Sequence, residues 1–127
     1  MELYIGGYAQ GKLSYVLRQT GLPADKVLDG AEVPEGCDMT KAGILNHLHL
    51  LVRNLLKEGR NPEDMIEKMI RQNPRLIIIS DEVGNGIVPM DAADREYRER
   101  LGRILCSLAE KAEKVERILC GIGQKIK

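Results

Sequence analysis

The run Leu76-Ile77-Ile78-Ile79 lies between a stop at Asn73-Pro74 and an acidic pair, Asp81-Glu82. A strand with one wet face alternates apolar and polar residues, and this one does not alternate. It must be covered on both faces, which calls for helices above and below a sheet. The rest of the chain supplies both. Leu3-Tyr4-Ile5 and Lys26-Val27-Leu28 read as short strands, Val115 to Cys120 as another, and Ile122 to Lys127 as a short addition. A helix is expected from Lys12 to Gln19, with Val16 and Leu17 inward and Gly21-Leu22-Pro23 closing it. Ile44, Leu48, Leu51, Val52, Leu55 and Leu56 recur at helical spacing, with Thr40 or Asp38 as cap and Gly59 as stop. Asn61-Pro62-Glu63-Asp64 opens a further helix, with proline in the first turn and acids at the positive end of the dipole. A long helix follows from about Asp91 to Ala112. Ala31 to Thr40 reads as loop. Alternating strands and helices predict one three-layer α/β domain over residues 1–127.

The composition fits such a domain. The chain has 127 residues, 43% hydrophobic and 30% charged. Lys+Arg and Asp+Glu both number 19, so nothing in the charge balance favours nucleic acid or an anionic membrane as partner. With no Trp or Phe and four Tyr, a stacking platform for single strands is not expected. No apolar run approaches the roughly 20 residues that span a bilayer. The start MELYIGG has neither the basic region nor the long apolar stretch of a signal peptide. Cys37, Cys106 and Cys120 are odd in number and widely spaced, which predicts reduced thiols, a cytoplasmic setting and no zinc site.

Between the first strand and first helix lies Gly6-Gly7-Tyr8-Ala9-Gln10-Gly11-Lys12, the frame G-x-x-x-x-G-K. A glycine turn in this context presents successive backbone N–H groups, and the helix N-terminus adds to them, making an anion nest. Lys12 contributes a movable positive charge for the outer phosphates. The expectation is a P-loop NTPase-like (RecA-like) fold, with nucleotide held by Gly6, Gly7, Tyr8, Ala9, Gln10, Gly11, Lys12, Leu13 and Ser14. Lys12 is the candidate catalytic residue. Leu13 stands where a hydroxyl normally binds Mg²⁺, and Ser14 is turned about 100° away around an ideal helix. Losing one metal ligand costs on the order of 1–3 kcal/mol of transition-state stabilisation, which leaves either a slow kinase or a binding protein. Asp29, at a strand end expected beside the glycine turn, is the candidate to position Mg²⁺ brought in with ATP or GTP. The alternative is a plain Asp-Gly turn.

Glu82 is a further candidate, as a base or metal contact, against the plainer role of holding its own glycine loop in shape; Asp81 is weighed the same way. Arg95, Arg98, Arg100 and Arg103, mixed with acids, read as a salt-bridged helix surface. Met65 and Met69 read as core. His47 and His49, two apart in an apolar helix, would lie on different faces in structural or solvent-facing roles.

The stretch IIISDEVGNGIVPMDAADREYRERLGRILCSLAEKAEKVERILCGIGQKIK resembles the adenosylcobinamide kinase / adenosylcobinamide-phosphate guanylyltransferase family of cobalamin assembly. That family carries N-E-V-G-x-G-I-V-P after an apolar strand, then R-x-x-x-G-R-x-N on a long helix, and a G-I-x-x-K-like tail. Glu82-Val83-Gly84, Gly86-Ile87-Val88-Pro89, Arg98, Gly102-Arg103 and Gly121-Ile122 fit, with Asp81 in place of the Asn. The opening turn is similar to T-G-G-x-x-S-G-K-S: Gly6, Gly7, Gly11 and Lys12 are kept, Gln10 replaces the Ser and Leu13 the final Ser. Lys26 to Gly30 looks like the family's second strand motif, ending in an acid near the metal. Asn54-Leu55-Leu56 looks like the N-L-L of the helix after it. The family's long segment with a covalently guanylylated His does not fit between Gln19 and Lys26.

The resemblance implies an ATP- or GTP-dependent kinase acting on a cobinamide-like alcohol, without the guanylyltransferase step. The alternative is a non-catalytic nucleotide- or corrinoid-binding derivative. A third reading is a structural subunit, and the resemblance implies a homo-oligomer, a trimer by family pattern.

Overall fold

The computed structural model describes residues 1–34, 36–83 and 91–127. The expected loop residues Gly84 to Pro89 lie outside the described residues. The described elements are β1 (Glu2–Gly6), α1 (Lys12–Thr20), β2 (Val27–Asp29), β3 (Ile44–Asn46), α2 (Leu48–Lys57), α3 (Pro62–Gln72), β4 (Ile77–Asp81), α4 (Ala92–Lys111), β5 (Lys114–Leu119) and β6 (Ile122–Lys125). One six-stranded sheet runs in the order β2-β3-β4-β1-β5-β6. Its neighbours pair in parallel except β6, which returns antiparallel on β5. This is the mostly parallel, helix-flanked sheet of a P-loop NTPase-like α/β fold.

Successive residues of each strand face opposite layers. Leu3, Leu45, Ile78 and Val115 point into the larger cluster, built with α2, α3 and α4. Tyr4, Ile44, Ile77, Ile79 and Ile118 point into the smaller one, closed by Val16 and Leu17 of α1. The unbroken Ile77-Ile78-Ile79 run is thus divided between two covered faces. Truncating the fully buried Ile78 to alanine removes about 2–5 kcal/mol of packing.

Local chemistry sets the helix ends. Asn61 accepts the Asp64 N–H at 3.1 Å, and Pro62 leads α3. Asp91 accepts the Asp94 N–H at 2.7 Å at the start of α4. Gly11 enters α1 with φ 81°, a left-handed conformation that glycine adopts at little cost.

The reading of residues 44–56 as one helix is corrected. Ile44–Asn46 is strand β3, wedged between β2 and β4, and α2 begins at Leu48. His47 makes the break, with φ 58° and ψ 47°. Asp38 caps a single 3-10 turn, Met39–Lys41, instead of a long helix. A three-residue apolar strand running straight into an amphipathic helix shares the helix's periodicity, so spacing alone cannot separate them. β5 stops at Leu119, one residue short of the expected Cys120, which with Gly121 forms a hairpin turn at φ 51° and 75°.

Two glycines should respond oppositely to alanine. A Cβ on Gly30 would collide with the main-chain carbonyls of His47 and Asn46, whereas nothing lies near one on Gly102, inside α4. In urea unfolding, Gly30→Ala is expected to lose about 1–3 kcal/mol. Gly102→Ala is expected to gain about 0.5–1 kcal/mol.

Candidate functional site

β1 and β4 are parallel neighbours with Gly6 opposite Asp81, so their carboxyl ends coincide. β1 sends its helix to one face and β4 sends α4 to the other. Ligands of open α/β sheets bind in the crevice at such a reversal. A groove of about 560 Å³ lies there, lined by Tyr8 to Ser14, Asn46, His47, His49, Leu50 and Asp81. All of the expected phosphate turn from Tyr8 to Ser14 therefore borders it. Gly6 and Gly7 form its root, and Tyr8 at its apex is 85% exposed.

The turn is held open from outside. Gln10 accepts the Cys120 N–H through Oε1 and the Gly121 N–H through its main-chain oxygen, both at 2.8 Å. The Glu82 N–H bonds Gly6 O at 2.8 Å. Beyond these, Tyr15 is the first backbone donor after the turn to find a main-chain acceptor, Gly11 O at 3.0 Å. The N–H groups at the start of α1 have no intrahelical acceptor, as at any helix start, and they border the groove.

Lys12 is buried, and its Nζ lies 2.6 Å from Asp81 Oδ1 and donates to Gly7 O at 2.7 Å. His49 completes the cluster from the first turn of α2. Its Nδ1 accepts the Asp81 N–H at 3.1 Å, and its Nε2 lies 3.3 Å from Asp81 Oδ2. That pattern requires the neutral Nε2–H tautomer, because a protonated Nδ1 has no lone pair to offer. Burial holds the His49 pKa below 6.5, outweighing the pull of the Asp81 carboxylate. From α4, the half-buried Tyr97 hydroxyl donates to His49 O at 2.9 Å, and desolvation pushes its pKa up to about 12.

Asp29 is not beside the glycine turn. β3 and β4 stand between β2 and β1. Its Oδ1 accepts the Ala31 N–H at 2.9 Å and pairs with His47 Nδ1 at 2.9 Å. These contacts, the amide first, hold its carboxyl below the usual range. The helix bearing Asn54-Leu55-Leu56 follows β3 rather than β2, so the strand leading into it ends in neutral Asn46. Glu82 reaches across β1 to Arg117, with Nε–Oε1 and Nη2–Oε2 both at 3.1 Å. Arg100 forms a two-point bridge to Glu63, and Arg98 pairs with Asp94 one turn away, matching the salt-bridged surface.

A protein-held magnesium ion does not fit this donor set. Both Asp81 oxygens are engaged, Leu13 offers no ligand, and Asp29 lies elsewhere. Among the described residues no three His, Cys, Asp or Glu side chains are disposed to hold a metal ion.

The turn and Lys12, singled out from the sequence, border the groove, as do His49 and Asn46, which the sequence reading does not place there. Placing β3 correctly would have revealed both, since Asn46, His47 and His49 then fall at a strand's carboxyl end. Nor does any described helix have the length and apolarity to cross a membrane.

His49 gives the site a pH signature. Its folded pKa lies below its unfolded one, so the unfolded chain takes up the proton first as pH falls. The contribution is fully present above pH 6.5 and is lost as pH drops through the folded value. Unfolding free energy should therefore fall more steeply between pH 7.5 and 5.5 in the native chain than in His49→Gln. Equal slopes would contradict a neutral, clamped imidazole.

The family model for cobinamide kinase / cobinamide phosphate guanyltransferase matches residues 27–126, a span that begins after the glycine turn. A bifunctional adenosylcobalamin biosynthesis protein, CobU, of Salmonella typhimurium is 40% identical over 53 residues, covering 42% of this chain and 29% of that protein. Its Escherichia coli counterpart is 35% identical over 65 residues, 51% of this chain and 36% of the relative. The CobP protein of Pseudomonas aeruginosa is 29% identical over 65 residues, 51% and 38%. The matched stretches thus span only about a third of the relatives' own length. With 100 consecutive residues inside the family model, the chain belongs to the cobinamide kinase / cobinamide phosphate guanyltransferase family of cobalamin biosynthesis.

Proposed function

We propose that the chain binds a nucleoside triphosphate, ATP or GTP, at the glycine turn and transfers its terminal phosphoryl group to a cobinamide-class alcohol. The supporting observation is the groove itself: Lys12, the amide edge of Tyr8 to Ser14 and the strand ends of β3 and β4 converge on about 560 Å³. Phosphoryl transfer relies on positioning and charge more than on a protein nucleophile, which suits a cluster of amides and one lysine. In this reading magnesium arrives with the nucleotide, coordinated by its phosphates and water.

Asp81 tunes the site. It neutralises Lys12, so an incoming polyphosphate competes with a carboxylate for the same ammonium. The family resemblance places Asn at this position. Asp81→Asn keeps the shape, removes the competitor and leaves Lys12 buried without a counter-charge.

Thermal melts with millimolar Mg-ATP and Mg-GTP test this. The native chain is expected to gain melting temperature with nucleotide, and Lys12→Ala to lose most of that gain. Asp81→Asn should be less stable alone, by about 3 kcal/mol, yet gain more on adding nucleotide. A native chain indifferent to both nucleotides contradicts the proposal. Binding without phosphorylation of cobinamide points instead to the non-catalytic derivative.

A further inference from the structure

We propose that His47, oriented by Asp29, is the base that takes the proton of the acceptor hydroxyl in the groove; this rests on the phosphoryl-transfer reading above. His47 lines the same groove as Lys12. Its Nδ1 is fixed 2.9 Å from Asp29 Oδ1, and the same oxygen is anchored by the Ala31 N–H. A carboxylate that accepts Nδ1–H leaves Nε2 as the basic nitrogen, in the same order of roles as an Asp-His pair in acid–base catalysis. Among the described residues that Nε2 has no partner.

Tyr8 apart, which stands 85% exposed at the tip of the turn, the other ionisable groups of the groove are committed. Lys12 and Asp81 pair with each other, and both nitrogens of His49 face Asp81. The His49 ring stands edge-on to His47 with centroids 5.6 Å apart, so it buttresses the base rather than replacing it.

The pair is also too exposed to matter much for stability, with side chains 42% and 50% accessible. Yet the fold strains to build it. His47 holds a left-handed backbone at φ 58°, a conformation uncommon in a non-glycine residue. Gly30 keeps that backbone in place through an approach that admits no side chain. Strain kept at a groove edge is the pattern of a working position.

The step balances. The acceptor O–H gives its proton to His47 Nε2 as its oxygen bonds to the γ-phosphorus. The bond from that phosphorus to the β,γ-bridging oxygen breaks, and the nucleoside diphosphate leaves with the electron pair. Lys12 lies on the phosphate side of the groove and His47 on the side of β3, so donor and base do not compete for one place. Asp29 acts through His47 and is a positioning residue.

The test is transfer of label from γ-³²P ATP and GTP to cobinamide by the full chain. His47→Asn and His47→Gly both suit the left-handed backbone. Each is expected to keep the nucleotide-induced rise in melting temperature and to lose about 10²- to 10⁴-fold in rate. Added imidazole should restore part of the His47→Gly rate, which a structural role would not allow. Asp29→Asn should lower kcat with little change in nucleotide KM. An active native chain with His47 variants of equal rate, or variants that lose nucleotide binding in step with rate, overturns the base role alone. An inactive native chain overturns the phosphoryl-transfer reading and the base role with it.

Discussion

Asp81 is the residue on which the carboxyl end of the sheet depends. One oxygen meets Lys12, entering from α1 on one face, and the other meets His49, entering from α2 on the opposite face. Lys12 is 8% exposed, so its charge is affordable only beside a carboxylate. The His49 contact is two-pointed, through main chain and side chain, and fixes the plane of the carboxylate. The position of the lysine at the root of the glycine turn follows from that clamp.

The same clamp bears on the proposed anion binding. A lysine paired to a fixed carboxylate is a weaker anion receptor than one held only by main-chain oxygen. Three departures from the family pattern, Gln10, Leu13 and Asp81, border this groove. Gln10 has a visible structural use, tying the turn to the β5–β6 hairpin. Outside the groove the family's signature on α4 is kept in part: Arg98 and Gly102-Arg103 fit, and Leu105 stands in place of its final Asn.

Much of this fold was readable from residues in order. The unbroken isoleucines announced a doubly covered strand, Asn61-Pro62 announced α3, and the glycine turn between strand and helix announced α1. What could not be read was set by pairing between distant segments. Ile44 belongs to a strand because β2 and β4 flank it, and no local spacing reports that. Asp29 looked like the partner of the glycine turn because it follows the next strand in sequence. The chain instead places that strand at the far edge, and Asp81, 75 residues beyond Gly6, takes the adjacent place. The histidines looked bland because a continuous helix would have set them apart. The break at His47 turned both toward one groove.

The proposed receptor for a polyphosphate is the amide edge of the first crossover turn. Amide chemical shifts followed by NMR during titration with GTP or ATP address it residue by residue. The account expects the N–H signals of Tyr8 to Ser14 to move together and to saturate, with those of the opposite sheet end, around Asn73 and Glu113, unmoved. Shifts centred away from the turn, or a turn that stays silent at saturating nucleotide, would contradict it.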